Sequence, residues 1–439
     1  MAEYRAQWLA ILAVAGSFIA VVFSLLIIPF LTTVAQQPEG EQRRIVALDS
    51  KYDLYSGQEV TRVNYVKVGD MEPNSARWFL DPFGKTMGGS STIGFVPKAG
   101  MILNQSEWEL RDKFEAFEIY SIVRLPNFLG ESQNDLPAYR AYNSIAISDQ
   151  CVSKYWPQEE RWHIENPCAG DFYRAWDGVA TAGPAAFGIS GRGIISTGQF
   201  GALASMNLSA DSEGYITARR PDRGYSENGT PGEGRRLSFE QIQDSNQKML
   251  EAASGYAGYE LPFPAAISGK YYLSELRPAR EVVFDYGNSK MMEAVYSSYP
   301  LAVGSGYEDI VLKSYPLENF AELALDSPVM VEGQIDLASS NLVGEALKLN
   351  QTLIKSLIGL NWYNGADDSV RITMATSEEG KFLVVIAPAR IEGADDALGP
   401  GAVVWATSRD GQKEVLVTVE TRSIDTDELS SLLQSLQIA

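Results

Sequence analysis

Residues 7–40 contain a single charged side chain, Glu39, and residues 8–35 read WLAILAVAGSFIAVVFSLLIIPFLTTVA. A helix of that length, at about 1.5 Å per residue, reaches roughly 40 Å, beyond the ~30 Å hydrocarbon layer of a bilayer. Trp8 is placed for one interface, and Pro29 would kink or end the helix near the other. The pattern predicts a transmembrane anchor at 8–35 behind a short tail, 1–7. A cleaved signal peptide is the rival reading, with a weak cleavage-like Thr33-Val34-Ala35, but its apolar core normally runs only about 7–15 residues. Arg5 precedes the run and Arg43 and Arg44 follow it, so basic residues do not decide the orientation. Residues 36–44, QQPEGEQRR, predict a polar hinge.

Beyond the hinge the period changes. Short apolar-alternating runs separated by Gly and Pro, at 63–68, 93–97 and 117–123, predict an all-β unit over 45–205. A polar stretch with Arg219, Arg220, Arg223, Arg235 and Arg236 reads either as a solvated linker, placed at 206–237, or as a basic docking strip. From 238 onward helical and strand patterns mix. Ser238 and Gln241 have the spacing of a capping box ahead of a helix to 253. A strand is expected at 281–286 and helices at 289–298 and 341–358. Strands are expected at 370–375, 382–387, 402–406 and 414–419, and a closing helix from 426 with Asp425 and Glu428 as a second capping box. Helices joined to a run of adjacent strands predict an α+β domain over 238–439.

Composition narrows the chemistry. The net charge of -20 repels phosphate backbones, so no nucleic-acid partner is expected. One histidine, His163, and two cysteines, Cys151 and Cys168, are too few soft ligands for a zinc centre, a four-cysteine iron–sulfur cluster or bis-histidine haem. His163 is read as structural. No spacing singles out a pair among the 56 acidic residues, so no enzyme activity is expected.

Residues 137–184 resemble the Rieske iron–sulfur domain of cytochrome bc complexes. That family carries two boxes, C-T-H-x-G-C and C-P-C-H-G-S. The first Cys and the His of each box hold a [2Fe–2S] cluster. The remaining cysteine of each box joins a disulfide that braces the loops. Here the lead-in is PAYRAYNS at 137–144 and box one is AISDQC at 146–151. Box two is NPCAGD at 166–171, and WDGVATAGPA at 176–185 is similar to the run that closes such domains. VGDMEP at 68–73 is similar to the family's opening strand and turn. Ala146, Ser148, Asn166 and Ala169 stand at the four ligand positions, while both brace cysteines are kept. The resemblance therefore implies a head without a cluster, no cofactor and no metal, and a Cys151–Cys168 disulfide. A stable disulfide implies an oxidising compartment.

The full expectation is an all-β Rieske-like head plus an α+β C-terminal domain on a single N-terminal transmembrane helix. The bulk of the chain would lie on the extracellular or periplasmic side of the cell membrane. Its role would be a non-catalytic subunit of a membrane redox or energy-transducing complex, with the lipid bilayer, integral membrane subunits and cytochromes as partners. Asp149, Gln150, Pro167, Gly170 and Asp171 would form the contact tip. The alternative is a free-standing anchored extracellular binding or envelope protein. Asn104, Asn207, Asn228 and Asn350 fit the glycosylation sequon.

Overall fold

In the computed structural model the described residues are 42–47, 60–61, 64–83, 92–93, 119–130, 135–156, 162–190, 193–194, 199–219, 228–278, 291–298, 309–316, 371–376, 381–387, 390–392, 396–398, 401–407, 414–422 and short pieces as far as 436. Most of them are strand. The predicted anchor at 8–35 lies outside them, as do the strand at 281–286, the helix at 341–358 and Asn104 and Asn350. Among the described residues no helix is long and apolar enough to cross a membrane.

Among the described residues, three antiparallel sheets of three or more strands build the amino-terminal head. A base sheet orders Gln42–Arg44, Ile216–Arg219 and Asn207–Ala210. A middle sheet orders Asn64–Tyr65, Val46–Ala47, Ser75–Leu80, Ile119–Arg124 and Tyr139–Asn143. A tip sheet orders Ala180–Ala182, Asp171–Arg174, His163–Asn166 and Lys154–Tyr155. The strand Ile119–Arg124 is buried at every position, its two polar members included: Ser121 bonds the Ser144 hydroxyl and Arg124 donates to the Met71 carbonyl. Successive side chains leave opposite faces of a strand. Thus Tyr120 and Ile122 join a cluster with Ile45, Phe79 and Ile216 between the base and middle sheets. Val123 instead joins Tyr142, Ile164 and Tyr173 on the side of the tip sheet.

Two parts of the organisation differ from the sequence expectation. The last three hinge residues, Gln42–Arg44, are a strand paired with Ile216–Arg219. The stretch 206–237, expected as a linker, supplies the hairpin of the base sheet, and Arg235–Ser238 pairs with Gln199–Ala202. These strands are short and half polar, and only the hairpin pairs locally, so local composition reads as loop. Nor is there an uninterrupted basic strip, because Arg235 turns inward and donates to the Leu203 carbonyl at 2.9 Å and to the Asp177 carbonyl.

The helix Phe239–Ala257 follows directly from that last strand. Ser238 Oγ accepts from the Gln241 amide at 3.2 Å, and Gln241 Oε1 accepts from the Ser238 amide at 2.8 Å, closing the expected capping box. Ile242, Asn246, Met249, Leu250, Ala253 and Ala257 form its buried stripe. Gly258, at φ 81°, ends it in the left-handed conformation. Ser238→Ala is expected to cost about 1 kcal/mol, read as a lowered urea midpoint.

The carboxy-terminal half is an eight-stranded antiparallel sheet in the order Ala266–Ile267, Tyr271–Pro278, Met292–Ser298, Ile310–Pro316, Glu414–Thr421, Gly401–Thr407, Lys381–Ala387 and Arg371–Thr376. The four strands expected between 370 and 419 are all present. The helix expected at 289–298 is not: Met292–Ser298 is a strand with neighbours on both edges. Ladder bonds on both sides, and a buried Arg277–Glu293 ion pair in register across the strands, override the local helix preference. Residues 428–429 and 432–433 are helical, where the closing helix was expected, and Leu429 and Leu432 are buried. The core is shared between the halves: Tyr142, Ile164 and Tyr173 of the head belong to the same cluster as Met249, Leu273 and Val417.

Candidate functional site at the tip

Two loops meet at the edge of the head. The first, 144–153, is closed by a bridge between Ile145 and Val152 and by an Ala146 amide donating to the Cys151 carbonyl at 2.8 Å. The second is the turn 167–170 between two tip-sheet strands, with Asn166 opposite Asp171 and the Gly170 amide donating to the Asn166 carbonyl at 2.9 Å. Cys151 and Cys168 are joined in a disulfide, so the loops are covalently tied.

Between the loops lies a buried polar core centred on Asp171, which has 0% of its surface exposed. Its Oδ2 accepts from Ser148 Oγ, from Asn166 Nδ2 at 2.8 Å and from the Tyr173 hydroxyl at 3.3 Å. Its Oδ1 accepts from the Ala185 amide at 2.8 Å. Asn166 also donates to Asp149 Oδ1 at 2.9 Å and accepts from the Cys168 amide at 3.0 Å. The Ile147 amide donates to the Tyr173 hydroxyl at 3.2 Å. The second loop thus grips the first through side chains as well as through sulfur.

Gly183 makes this closeness possible. It sits at φ +75°, and a Cβ there would lie 2.6 Å from the Gly170 carbonyl oxygen and 2.7 Å from Asp171. It opens the short helix Gly183–Ala186 that carries the Ala185 amide to Asp171.

The four positions at which the resemblance places cluster ligands fall around this core. Ala146 is fully buried and Ala169 half-buried, and neither has a donor atom in its side chain. Ser148 and Asn166 are engaged with Asp171. Burial pushes the Asp149 carboxyl above its ordinary value; the Cys151 amide opposes this and the neighbouring Asp171 charge adds to it. Burial, reinforced by the Asp171 charge, pushes the Tyr173 hydroxyl well above the ordinary phenol range. The phenol therefore stays protonated and acts as a fixed donor.

Of the expected contact tip, Pro167 and Gly170 are exposed, and Asp149 and Gln150 are half-buried. Asp171 is a correction, since it is an internal acceptor and not a surface residue. A signal for this was present: Tyr173 is apolar-bodied and two positions on, so it shares a strand face with Asp171, opposite to Phe172. Sequence reasoning also passed over Tyr173 and Gly183. Of the sequon asparagines, Asn207 is exposed at a strand start, while Asn228 is half-buried with its carbonyl accepting from the Ser205 amide at 2.7 Å.

A second feature lies where the tip sheet meets the carboxy-terminal sheet. A cleft of about 240 Å³ is lined by Trp162, His163, Phe172 and Trp176 on one side and Glu275 and Arg277 on the other. The His163 ring lies against Phe172 at 4.3 Å between centroids, and Trp162 packs edge-on against Phe128 at 4.9 Å. Trp156, by contrast, lies under the Lys154 ammonium, 4.6 Å from the ring centre.

No family model matches the chain, and no curated protein is significantly similar to it. The functional reading therefore rests on the residues themselves.

Proposed function

We propose that this chain is a cluster-free, Rieske-like accessory subunit of a membrane redox or energy-transducing complex. Residues 8–35 would anchor it, and the head would stand on the extracytoplasmic face. The observation that carries the reading is the pairing of the two boxes. They are joined by the disulfide that the resemblance implies, and the space between them is filled by the Ser148, Asn166, Asp171 and Tyr173 hydrogen bonds. Such a head keeps a rigid tip and gives up electron transfer. Its outer surface, Gln150, Pro167 and Gly170, offers a partner a small, preorganised contact that costs little entropy on binding. Integral membrane subunits and cytochromes are the partners of this reading, and catalysis has no part in it.

The test is extraction from native membranes in mild detergent, followed by identification of co-purifying chains and spectra for haem and iron–sulfur centres. Stoichiometric cytochrome or quinone-oxidoreductase subunits are the expected result. A lone monomer would overturn the subunit role, and a Rieske-type signal from this chain would overturn the assignment of the ligand positions.

One observation favours a second reading, an anchored extracellular binding or envelope protein. The aromatic-lined cleft sits between two packed units, a common place for small-molecule sites. Purification alone, or with envelope proteins only, would favour it.

A further inference from the structure

The disulfide lies beside a carboxylate. One ligand atom each from Asp149, Cys151 and Cys168 lies within 4.8 Å of the other two. Two cysteine sulfurs are too few for a closed structural zinc centre of soft ligands, but with one carboxylate oxygen they make the three-ligand set with an open fourth position that zinc also takes, at about 2.3 Å to thiolate and about 2.0–2.2 Å to carboxylate. While the sulfurs are bonded to each other they are not thiolates, and the set is closed to metal. Reduction changes this without requiring the loops to find each other again. Asn166 holds Asp149 at 2.9 Å and Asp171 at 2.8 Å, and the Cys168 and Cys151 amides are held by Asn166 and Asp149 at 3.0 Å each. These bonds fix both cysteine backbones and the carboxylate independently of the S–S bond.

We propose that reduction of Cys151–Cys168 turns the tip into a site for one thiophilic divalent cation, zinc, held by the two thiolates and Asp149. A water would fill the fourth position. The opening step is reduction of the protein disulfide by a phosphine-class reductant. With a phosphine and one water, the S–S bond breaks, the phosphorus is oxidised to the phosphine oxide and two thiols form. Zinc then binds and displaces the two thiol protons to solvent. The oxidised tip is braced by a covalent bond and the reduced tip by a metal, so the same loops serve two redox conditions. This inference rests on the side chains at the tip and is independent of the proposed subunit role.

The experiment uses the full chain in mild detergent, titrated with zinc before and after treatment with a non-chelating phosphine. The expected result is one equivalent of zinc bound after reduction and none before it. Proton release of about two per zinc at neutral pH should accompany binding. Asp149→Asn should weaken zinc at least tenfold while leaving the oxidised protein folded. Cys151→Ser should abolish binding. Equal binding before and after reduction would overturn the proposal, as would tight binding undiminished in Asp149→Asn. If the reduced chain loses structure, near-ultraviolet circular dichroism of the tip decides. Zinc should restore the signal in the reduced parent chain but not in Cys151→Ser, and failure to restore it in the parent would overturn the proposal.

Discussion

Replacing Asp171 by alanine is expected to destabilise the chain by about 3–5 kcal/mol. The carboxylate is fully buried and accepts from Ser148, Asn166, Tyr173 and the Ala185 amide. Alanine leaves these donors without their acceptor in a space water reaches poorly. Each orphaned buried donor costs on the order of 1–3 kcal/mol, with partial recovery by relaxation. Asp171→Asn keeps the volume and one acceptor oxygen but turns an amide toward donors, so it should cost roughly half as much. Urea midpoints of the full chain in detergent measure both. Amide exchange then locates the loss: the Gly170, Cys168 and Ala185 protons should lose protection before the strand Ile119–Arg124 does. An alanine variant within about 1 kcal/mol of the parent would mean that the core between the boxes is not what holds them.

The same residue shows where sequence reasoning was strong and where it ran out. Local chemistry was readable. The Ser238–Gln241 capping box needs only residues three apart, and it is present with both hydrogen bonds. The strand Ile119–Arg124 declares itself by its β-branched and aromatic residues, Ile119, Tyr120, Ile122 and Val123. The brace pair Cys151–Cys168 is bonded as the resemblance implied. What failed was set by distant partners. Met292–Ser298 reads as helix until it is flanked by Tyr271–Pro278 and Ile310–Pro316. The short runs NLSA at 207–210 and ITAR at 216–219 read as linker until Gln42–Arg44 pairs with the second of them in a sheet. An isolated acidic residue after a glycine turn reads as surface. Asp171 is internal because the short helix at Gly183, Ser148 of the other box and Tyr173 of its own strand all converge on it. None of these contacts is local in the chain except the last, and only strand parity hinted at it.

Arg174 joins the head to the carboxy-terminal half, and Arg174→Leu is expected to cost about 3–5 kcal/mol and to uncouple them. Its guanidinium is 5% exposed and pairs with Asp177, itself 12% exposed. Nε lies 3.0 Å from Asp177 Oδ1, and Nη1 reaches Asn246 Oδ1 on the long helix at 2.6 Å and the Leu273 carbonyl in the large sheet. Leucine fills the volume but leaves Asp177 as a buried charge with only Ser245 and the Val179 amide as donors. Lysine would keep a charge but not the fork that reaches three elements. The pH dependence follows from Asp177. Burial alone would raise its carboxyl, but Arg174 and the surrounding hydrogen bonds outweigh this and hold it below the ordinary 3.8. A lowered folded value contributes stability that is present above 3.8 and is lost as the pH falls through the folded value. In Arg174→Leu the burial effect is left unopposed by the cation, and the carboxyl shifts upward. The stability gap between parent and variant should therefore be widest near neutral pH and should close as the pH falls from the variant's raised value to the parent's value below 3.8. Calorimetry at neutral pH should show one transition for the parent and two for the variant, the first being loss of the head from the sheet. A single transition with an unchanged midpoint would show that the shared apolar core alone joins the halves.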